Sequence, residues 1–423
     1  MNGIRRSFLL LQGVASPFFA RLTKHLHAEG HSVQRIIFNG GDWLYGGLQT
    51  DKQHFRGPVD ELPAFLASLW QRGAITDQVM FGDMRPVHRA AMRNAERFGV
   101  RTHVFEEGYF RPWWVTLERE GTNGHSLLPR DPDWFREAGG DLQVPPPRRF
   151  DAPFRVRAMH DVFYHYASAL NPLLYPAYRN HSLYTAPVQY PAYLWRFSRM
   201  PYWQRRDGKR ITKLIESKRD FFVLPLQLDW DAQVRFHSPF ENMQAAMVQV
   251  MASFASDAPG DAVLVIKNHP LDIGLARHGQ AAMREARALG IENRVCFLES
   301  GNLGLLLRHA RGMVTVNSTS GIQALELGCP TMSLADPIYN LPGLSFQGPL
   351  AQFWRGGEPG DRSLFTAFRA VVLHAAQING GFYCKQGIAI AVEEATRVLG
   401  ATESPLETLI RQTGWPDAFD NAN

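Results

Sequence analysis

Residues 7–42 read SFLLLQGVASPFFARLTKHLHAEGHSVQRIIFNGGD, and their hydrophobic spacing decides the fold. Phe8 to Leu11 form an unbroken apolar run that stops at Gln12 and Gly13. From Pro17 to Gly30 the apolar residues recur every three or four positions, the period of one helix face. A second apolar run then stops at Asn39-Gly40-Gly41-Asp42. Strand, helix and strand in that order make a βαβ unit, which implies a parallel sheet. The opening residues also mimic a secretion signal, with Arg5 and Arg6 ahead of an apolar stretch. The run FLLL is short and is interrupted by Gln12 and Gly13, so it reads better as a first buried strand. No window approaches about 18 uninterrupted apolar residues, and no membrane-spanning helix is expected.

The same unit recurs along the chain. DELPAFLASLWQRG (60–73) predicts a helix, DQVMFGD (77–83) a strand ending at Asp83, and PVHRAAMRNAERFG (86–99) a helix. VRTHVFEEG (100–108) predicts a strand ending on two adjacent carboxylates, Glu106 and Glu107. The pattern breaks between about 129 and 210. VPPPRRF (144–150) is a proline-rich connector, and residues 158–210 are crowded with Tyr, Trp, Phe, Arg and His and interrupted by Pro. Short helices and loops are expected there. Alternation resumes with strands at 219–227, 261–270, 294–300, 312–321 and 329–336, separated by helices. SLFTAFRAVVLHAAQI (363–378) and GIAIAVEEATRVL (387–399) are helical, and the last ten residues read as loosely ordered. The expected fold is therefore α/β, with two doubly wound Rossmann-like domains facing one another. The first covers 1–200, with an aromatic-basic insertion from about 130. The second covers 201–385, and closing helices and a tail occupy 386–423.

Bulk properties agree with two domains. The chain has 423 residues, too many for one ordinary core. Hydrophobic residues make up 45% and charged residues 20%, a globular balance. A net charge of +5 suits an anionic partner without choosing among them. Cys296, Cys329 and Cys384 are far apart and odd in number, which argues against a disulfide framework and a zinc site and for a reducing, cytoplasmic compartment.

Ligands of doubly wound sheets sit at the carboxyl ends of the strands. In the first half those ends carry Gln12–Gly13, Asn39–Asp42, Gly82–Asp83 and Glu106–Glu107–Gly108. In the second they carry Gln227 and Asp229, Lys267–Asn268–His269–Pro270, Glu299 and Asn317–Ser318–Thr319–Ser320–Gly321. One edge is acidic; the other is basic and rich in hydroxyls. In VNSTSGIQALELG a strand turns through hydroxyl residues into a helix, whose first N–H groups can hold a phosphate. The same residues also suit an ordinary helix cap. In VIKNHPLD, His269 can donate to a leaving phosphate and Lys267 can offset its charge. No Walker loop and no G-x-G-x-x-G follow a strand, and no clustered metal-ligand set is present, so neither a P-loop NTPase nor a required metal is signalled.

FEEGYFRPWW, VIKNHP and VNSTSG together resemble the acidic, His-Pro and Ser/Thr motifs of GT-B glycosyltransferases that use CMP-sugars. The opening stretch and the FEEGY strand end are similar to the capsule polysaccharide β-Kdo transferase (KpsS/LipB) family, from about Phe8 to Tyr383. That resemblance implies a GT-B fold with a central cleft. It also implies transfer of Kdo from CMP-Kdo to phosphatidylglycerol or lyso-phosphatidylglycerol, with CMP-Kdo a substrate rather than a cofactor. A β-Kdo transferase implies retention through a carboxylate nucleophile, whereas resemblance to sialyltransferases implies inversion through a general base. Glu107, next to Gly108, matches the family's acidic residue, with Glu106 as the alternative; His269 would act on the departing phosphate. The CMP-sugar would contact Gln227, Lys267, His269, Pro270, Asn317, Ser318, Thr319, Ser320, Gly321 and Glu326. Gln12, Gly13, Asp42, Asp83 and Arg111 would line the acceptor side. Asp42 and Asp83 also suit turns or helix caps, Arg111 a surface ion pair, and Glu326 a solvated helix face.

The stretch from about Phe154 to Arg206 mixes Trp and Tyr with cations. Such a mixture favours a membrane interface, here the inner leaflet, and equally an insertion packed against a domain. The resemblance implies a peripheral protein that works with other capsule biosynthesis and export proteins, with no nucleic-acid partner. Two other readings stand beside it: a sialyl-type CMP-sugar transferase, and a non-catalytic capsule-assembly protein.

Overall fold

The computed structural model describes residues 5–47, 51–179, 186–229 and 232–416. Most of the tail expected to be loose, 417–423, lies outside them. The chain divides into two compact units. Unit 1 comprises 1–129, 137–181 and 367–423; unit 2 comprises 130–136 and 182–366.

Unit 1 holds a seven-stranded sheet. Its strands are β1 (Ser7–Leu10), β2 (Ser32–Ile37), β3 (Asp51–His54), β4 (Asp77–Phe81), β5 (Arg101–Glu107), β6 (Trp114–Arg119) and, far along the chain, Gln377–Asn379. The order is Gln377–Asn379, β6, β5, β4, β1, β2, β3. β1 to β5 are mutually parallel, whereas β6 runs antiparallel to β5 and Gln377–Asn379 antiparallel to β6. β1 alternates between two cores. Phe8 and Leu10 join Phe81, Phe105 and the C-terminal helix residues Ile388, Ala391, Val392 and Leu399. Leu9 and Leu11 join Leu62, Leu66, Met80 and Val104 on the other face.

Unit 2 holds a five-stranded, wholly parallel sheet of β7 (Phe221–Pro225), β8 (Val263–Lys267), β9 (Val295–Leu298), β10 (Gly312–Thr315) and β11 (Thr331–Ser333), in the order β11, β10, β7, β8, β9. Phe222 and Leu224 face one core with Met247 and Trp354. Phe221 and Val223 face the other with Leu306 and Met313. Continuous burial on both faces explains why β7 and β8 read as unbroken apolar runs.

Three expectations change. The division falls at 181/182 rather than 200/201, and the chain from 367 onward belongs to unit 1, because the helix Lys385–Gly400 buries its apolar face on β1 and its neighbours. β3, β6 and Gln377–Asn379 were not expected as strands. DKQH and QIN carry no apolar run, and Gln377 and Ile378 continue the helical pattern before them. Finally, the aromatic-basic stretch is not a set of short helices. Beside Phe154–Ser168 and Asn171–Leu174 it forms one helix of 31 residues, Ala186–Glu216, that carries Pro191 and Pro201 inside it. Each internal proline forfeits a backbone hydrogen bond. Buried side chains offset that cost: Arg196 pairs with Glu299 at 3.0 Å, and Asp207 accepts the N–H groups of Glu299 and Ser300 at 2.9 and 3.1 Å.

At the amino ends of the strands, buried Asp77 collects Arg6 (3.2 Å), Arg101 (2.9 Å) and His103 (2.8 Å), and Arg6 also reaches the Ala401 carbonyl. Asp77→Ala is expected to destabilise the protein by about 3–5 kcal/mol, since it leaves the Arg6 cation buried without its carboxylate. Chemical denaturation monitored by circular dichroism measures the loss.

Candidate functional site

In unit 1, β5 runs out of its apolar segment at Glu106 and Glu107. Successive strand side chains point to opposite faces, so the two carboxylates part company. Glu106 Oε1 turns back to accept the Glu107 backbone N–H at 3.0 Å. Glu107 Oε1 pairs with Arg157 at 3.0 Å and accepts from the Tyr383 hydroxyl at 3.3 Å. Arg157 also lies 4.8 Å over the Tyr383 ring. Burial works against the Arg157 charge, but Glu107, Tyr383, Asp161 and Glu106 together outweigh it and hold the guanidinium pKa above its usual value. Burial, then the Glu107 charge, drive the Tyr383 hydroxyl pKa upward. The phenol therefore stays a neutral donor. Gly108 is required at the turn, because a Cβ there would stand 2.0 Å from the Trp114 carbonyl oxygen.

The helix Phe154–Ser168 supplies a polar face to the neighbouring strand ends. Tyr164 donates to Asp42 Oδ1 at 2.9 Å, and Gln12 Nε2 donates to Asp42 Oδ2 at 3.0 Å and to the hydroxyls of Tyr164 (3.2 Å) and Tyr178 (3.1 Å). Asn39 Nδ2 also donates to the Tyr164 hydroxyl, and its Oδ1 accepts the Asp42 N–H. Arg85 donates to Gln12 Oε1 (3.2 Å) and the Gly13 carbonyl (2.9 Å). Burial raises the Asp42 pKa, and Arg35 pulls it back. Gln12, Gly13 and Asp42 thus come together, as members of a buried scaffold. Exposed Arg111 donates from Nε to the Gly108 carbonyl, at 3.1 Å, rather than to a carboxylate.

Asp83 follows β4, the strand beside β5. Its carboxylate, 3% exposed, meets Nδ1 of His125 at 2.9 Å, while the imidazole is 46% exposed. The hydrogen bond to Asp83 is the main reason the His125 pKa is raised; burial opposes it.

In unit 2, Gln227 and Asn317 end β7 and β10 and satisfy each other. Gln227 Nε2 donates to Asn317 Oδ1 at 3.0 Å, and the Asn317 N–H donates to Gln227 Oε1 at 3.3 Å. Asn317 Nδ2 further donates to the His237 carbonyl. The pair stitches two strand ends rather than presenting an open amide. The Ser318 turn is similarly self-contained. Ser320 N–H and Oγ–H go to Ser318 Oγ, at 3.2 and 2.7 Å, and the Gly321 and Ile322 N–H groups go to the Ser318 and Thr319 carbonyls. The expected row of open amides at a helix start is therefore absent: the helix Ser320–Glu326 has seven residues, and its first amides close tight turns. Ser318 Oγ, accepting twice, keeps its own proton to donate. Glu326 is exposed at the far end of that helix, about 9 Å along its axis.

At the end of β8, Lys267 is buried, and burial, then Arg196, lowers its pKa. Asn268 Nδ2 donates to Asp272 and to Glu299, both at 2.9 Å, and its Oδ1 accepts the His269 N–H at 2.8 Å. His269 Nδ1 accepts the Leu271 N–H at 3.1 Å. In the neutral ring the proton then resides on Nε2, so Nε2 is the donor. Pro270 beside it is exposed. Arg157, Tyr383, Tyr164, Arg85 and His125 were missed by the sequence reading. Tyr383 meets a carboxylate 276 positions away, which no local pattern announces.

Residues 76–383 match the family described as capsule polysaccharide biosynthesis protein. The capsule polysaccharide modification protein LipB of Neisseria meningitidis serogroup B is 36% identical over 387 residues, covering 89% of this chain and 91% of LipB. The capsule polysaccharide export protein KpsS of Escherichia coli is 32% identical over 379 residues, covering 89% of this chain and 97% of KpsS. Among solved structures, the β-Kdo 2,7 transferase of Thermosulfurimonas dismutans KpsC is 13% identical, covers 96% of this chain and 98% of its own, and has a TM-score of 0.42.

Asp83→Asn is expected to lower the His125 pKa toward the ordinary 6.5, as read from imidazole proton shifts in an NMR pH titration. Because the folded value is raised, the stability it contributes is complete below the ordinary imidazole pKa. It is lost as pH rises through the raised value. The stability gap between wild type and variant is therefore wider near about pH 5 than near about pH 9.

Proposed function

This chain belongs to the capsule polysaccharide biosynthesis protein family, and from that premise we propose that it is a glycosyltransferase acting in capsule assembly. The observation that carries the reading is Glu107, an oriented carboxylate at the carboxyl end of a parallel-sheet strand, gripped by one cation and one neutral donor. The donor proposed is CMP-Kdo, and the acceptor a phosphatidylglycerol-type lipid. Both follow from the sequence resemblance.

In the proposed mechanism a Glu107 oxygen forms a bond to the anomeric carbon while the bond from that carbon to the CMP phosphate oxygen breaks. The leaving phosphate keeps the electron pair, and the sequence resemblance assigns its stabilisation to His269 Nε2, Lys267 and the Ser318 hydroxyl. The acceptor oxygen then replaces Glu107 on the carbon, which restores the original anomeric configuration. Arg157 and Tyr383 would keep Glu107 aimed. Glu106, turned to the Glu107 amide, would brace the strand tip.

A lipid acceptor calls for access to a bilayer surface, and no helix among the described residues is long and apolar enough to cross one. The outer side of Ala186–Glu216 supports peripheral contact. Leu194 (74%), Trp195 (51%) and Tyr202 (63%) are exposed there, and so are Arg199, Arg205, Lys209 and Lys213. Exposed rings and cations on one helix suit an anionic interface such as the cytoplasmic leaflet. The opposite side, with Arg196, Trp203 and Asp207, is buried in unit 2.

Incubating the protein with CMP-Kdo and a short-chain phosphatidylglycerol, followed by mass spectrometry of the lipid, tests the reading. A Kdo-sized mass gain is expected, and Glu107→Gln is expected to slow it by at least about a hundredfold. No mass gain with the wild type would reject this donor–acceptor pair. A Glu107→Gln variant at wild-type rate would reject the nucleophile.

A further inference from the structure

Displacement of a carboxylate by a hydroxyl needs a base for the hydroxyl's proton, and in unit 1 the structure assigns one. We propose that His125, anchored by Asp83, is the general base that deprotonates the acceptor hydroxyl. The inference rests on the glycosyl-transfer reading above and adds the residue that serves its second step.

Three observations place the pair at the acidic strand end. First, β4 and β5 are neighbours in register, with Phe81 opposite Phe105, and the Gly82 N–H donates to the Phe105 carbonyl at 2.8 Å. Asp83 therefore leaves its strand level with the Glu106–Glu107 tip, one strand spacing away, about 4.8 Å. Second, Gly82 has φ +74°, and Glu106 Oε2 lies 3.4 Å from where a Cβ would stand on it, so the two strand tips are in close apposition. Third, the turn Asn123–His125 is moored to the same motif. The Tyr109 hydroxyl, two residues beyond Glu107, accepts the Asn123 N–H at 2.6 Å and donates to Glu118 Oε1 at 2.7 Å. Tyr109 thus ties the loop that carries His125 to the segment that carries the carboxylates.

The chemistry of the pair matches the role. Asp83 is buried just past the end of β4, whereas the His125 ring is about half exposed on a turn. A buried carboxylate on Nδ1 fixes the tautomer with the proton on that nitrogen, so Nε2 is the basic atom. It also favours the imidazolium that forms. In the step proposed, the acceptor oxygen bonds to the anomeric carbon as the carbon–Glu107 bond breaks. The electron pair returns to the Glu107 carboxylate, and the hydroxyl proton passes to Nε2. Atoms and charge balance without a further reactant. The arrangement also separates duties: Glu107, held by Arg157, forms the first bond, and the proton goes to a different group.

The test separates the two steps. With CMP-Kdo and no acceptor, formation of the glycosyl-enzyme releases one equivalent of CMP in a burst; with short-chain phosphatidylglycerol, turnover follows. His125→Ala and His125→Gln are expected to keep the CMP burst within about threefold of wild type and to lose about a hundredfold in lipid turnover. Added imidazole is expected to restore part of the His125→Ala turnover and none of the Glu107→Gln turnover. Both His125 variants turning over at the wild-type rate would overturn the base assignment alone. Loss of the burst together with turnover in both would also overturn it, since the residue would then serve the first step or the fold. A wild type that neither releases CMP nor modifies lipid would overturn the transfer reading and this inference with it.

Discussion

Parallel strands leave a sheet at one common edge, and that constraint arranges everything chemical in this protein. In unit 1 it gathers Gln12, Asp42, Asp83, Glu106 and Glu107 from four strands scattered over a hundred residues. In unit 2 it gathers Gln227, Lys267, His269, Asn317 and Ser318 from three. Each sheet also reverses its strand order beside its first strand: β1 lies between β4 and β2, and β7 between β10 and β8. The crossover helices diverge at such a reversal and leave room for a ligand beyond the strand ends. Gln12 and the Gln227–Asn317 pair occupy those two positions.

Not every polar residue collected at an edge is available for chemistry. Buried polar atoms must be satisfied, and much of the collection serves that purpose. Asp42, Gln12, Asn39 and two tyrosines saturate one another. Gln227 and Asn317 do the same, and the Ser318 turn consumes its own amides. Other groups are set toward chemistry by the partners they have: Glu107 between a cation and a donor, His125 against Asp83, and His269, whose Nδ1 accepts the Leu271 N–H. Burial supports this division by pushing Tyr383 toward its neutral form and by lowering the Lys267 pKa.

The helix Phe154–Ser168 shows why the insertion was hard to read. Arg157, His160, Tyr164 and Ser168 fall at helical spacing and bond to Glu107, Tyr45, Asp42 and the Gly41 N–H. Met159, Val162, Phe163 and Tyr166, at the same spacing, are exposed. The helix thus turns its polar side inward and an apolar side to solvent. Periodicity identifies a face but does not say what it packs against, and here the usual inference from apolar to buried runs backward. The helix Ala186–Glu216 overrides a second rule, since Pro191 and Pro201 sit inside it while buried ion pairs hold its inner side.

The α/β class, the five strands of unit 2, four of the parallel strands of unit 1 and the edge that carries the polar residues were legible in the sequence. Apolar runs buried on both faces, alternating with helical periods, are local signals that no tertiary contact needs to supply. The short strands β3 and Gln377–Asn379 were not legible, because three or four residues without an apolar run, at an edge, owe their conformation to the neighbour they pair with. Nor was the return of the C-terminal helices to unit 1, a matter of which apolar face meets which. The motif EEG marked a candidate site from residue identity alone. Which of its carboxylates is gripped was decided by Arg157 and Tyr383, and the pairing of His125 with Asp83 by a turn moored on Tyr109. Those partners lie tens to hundreds of positions away, and only the folded chain brings their charges within hydrogen-bond range.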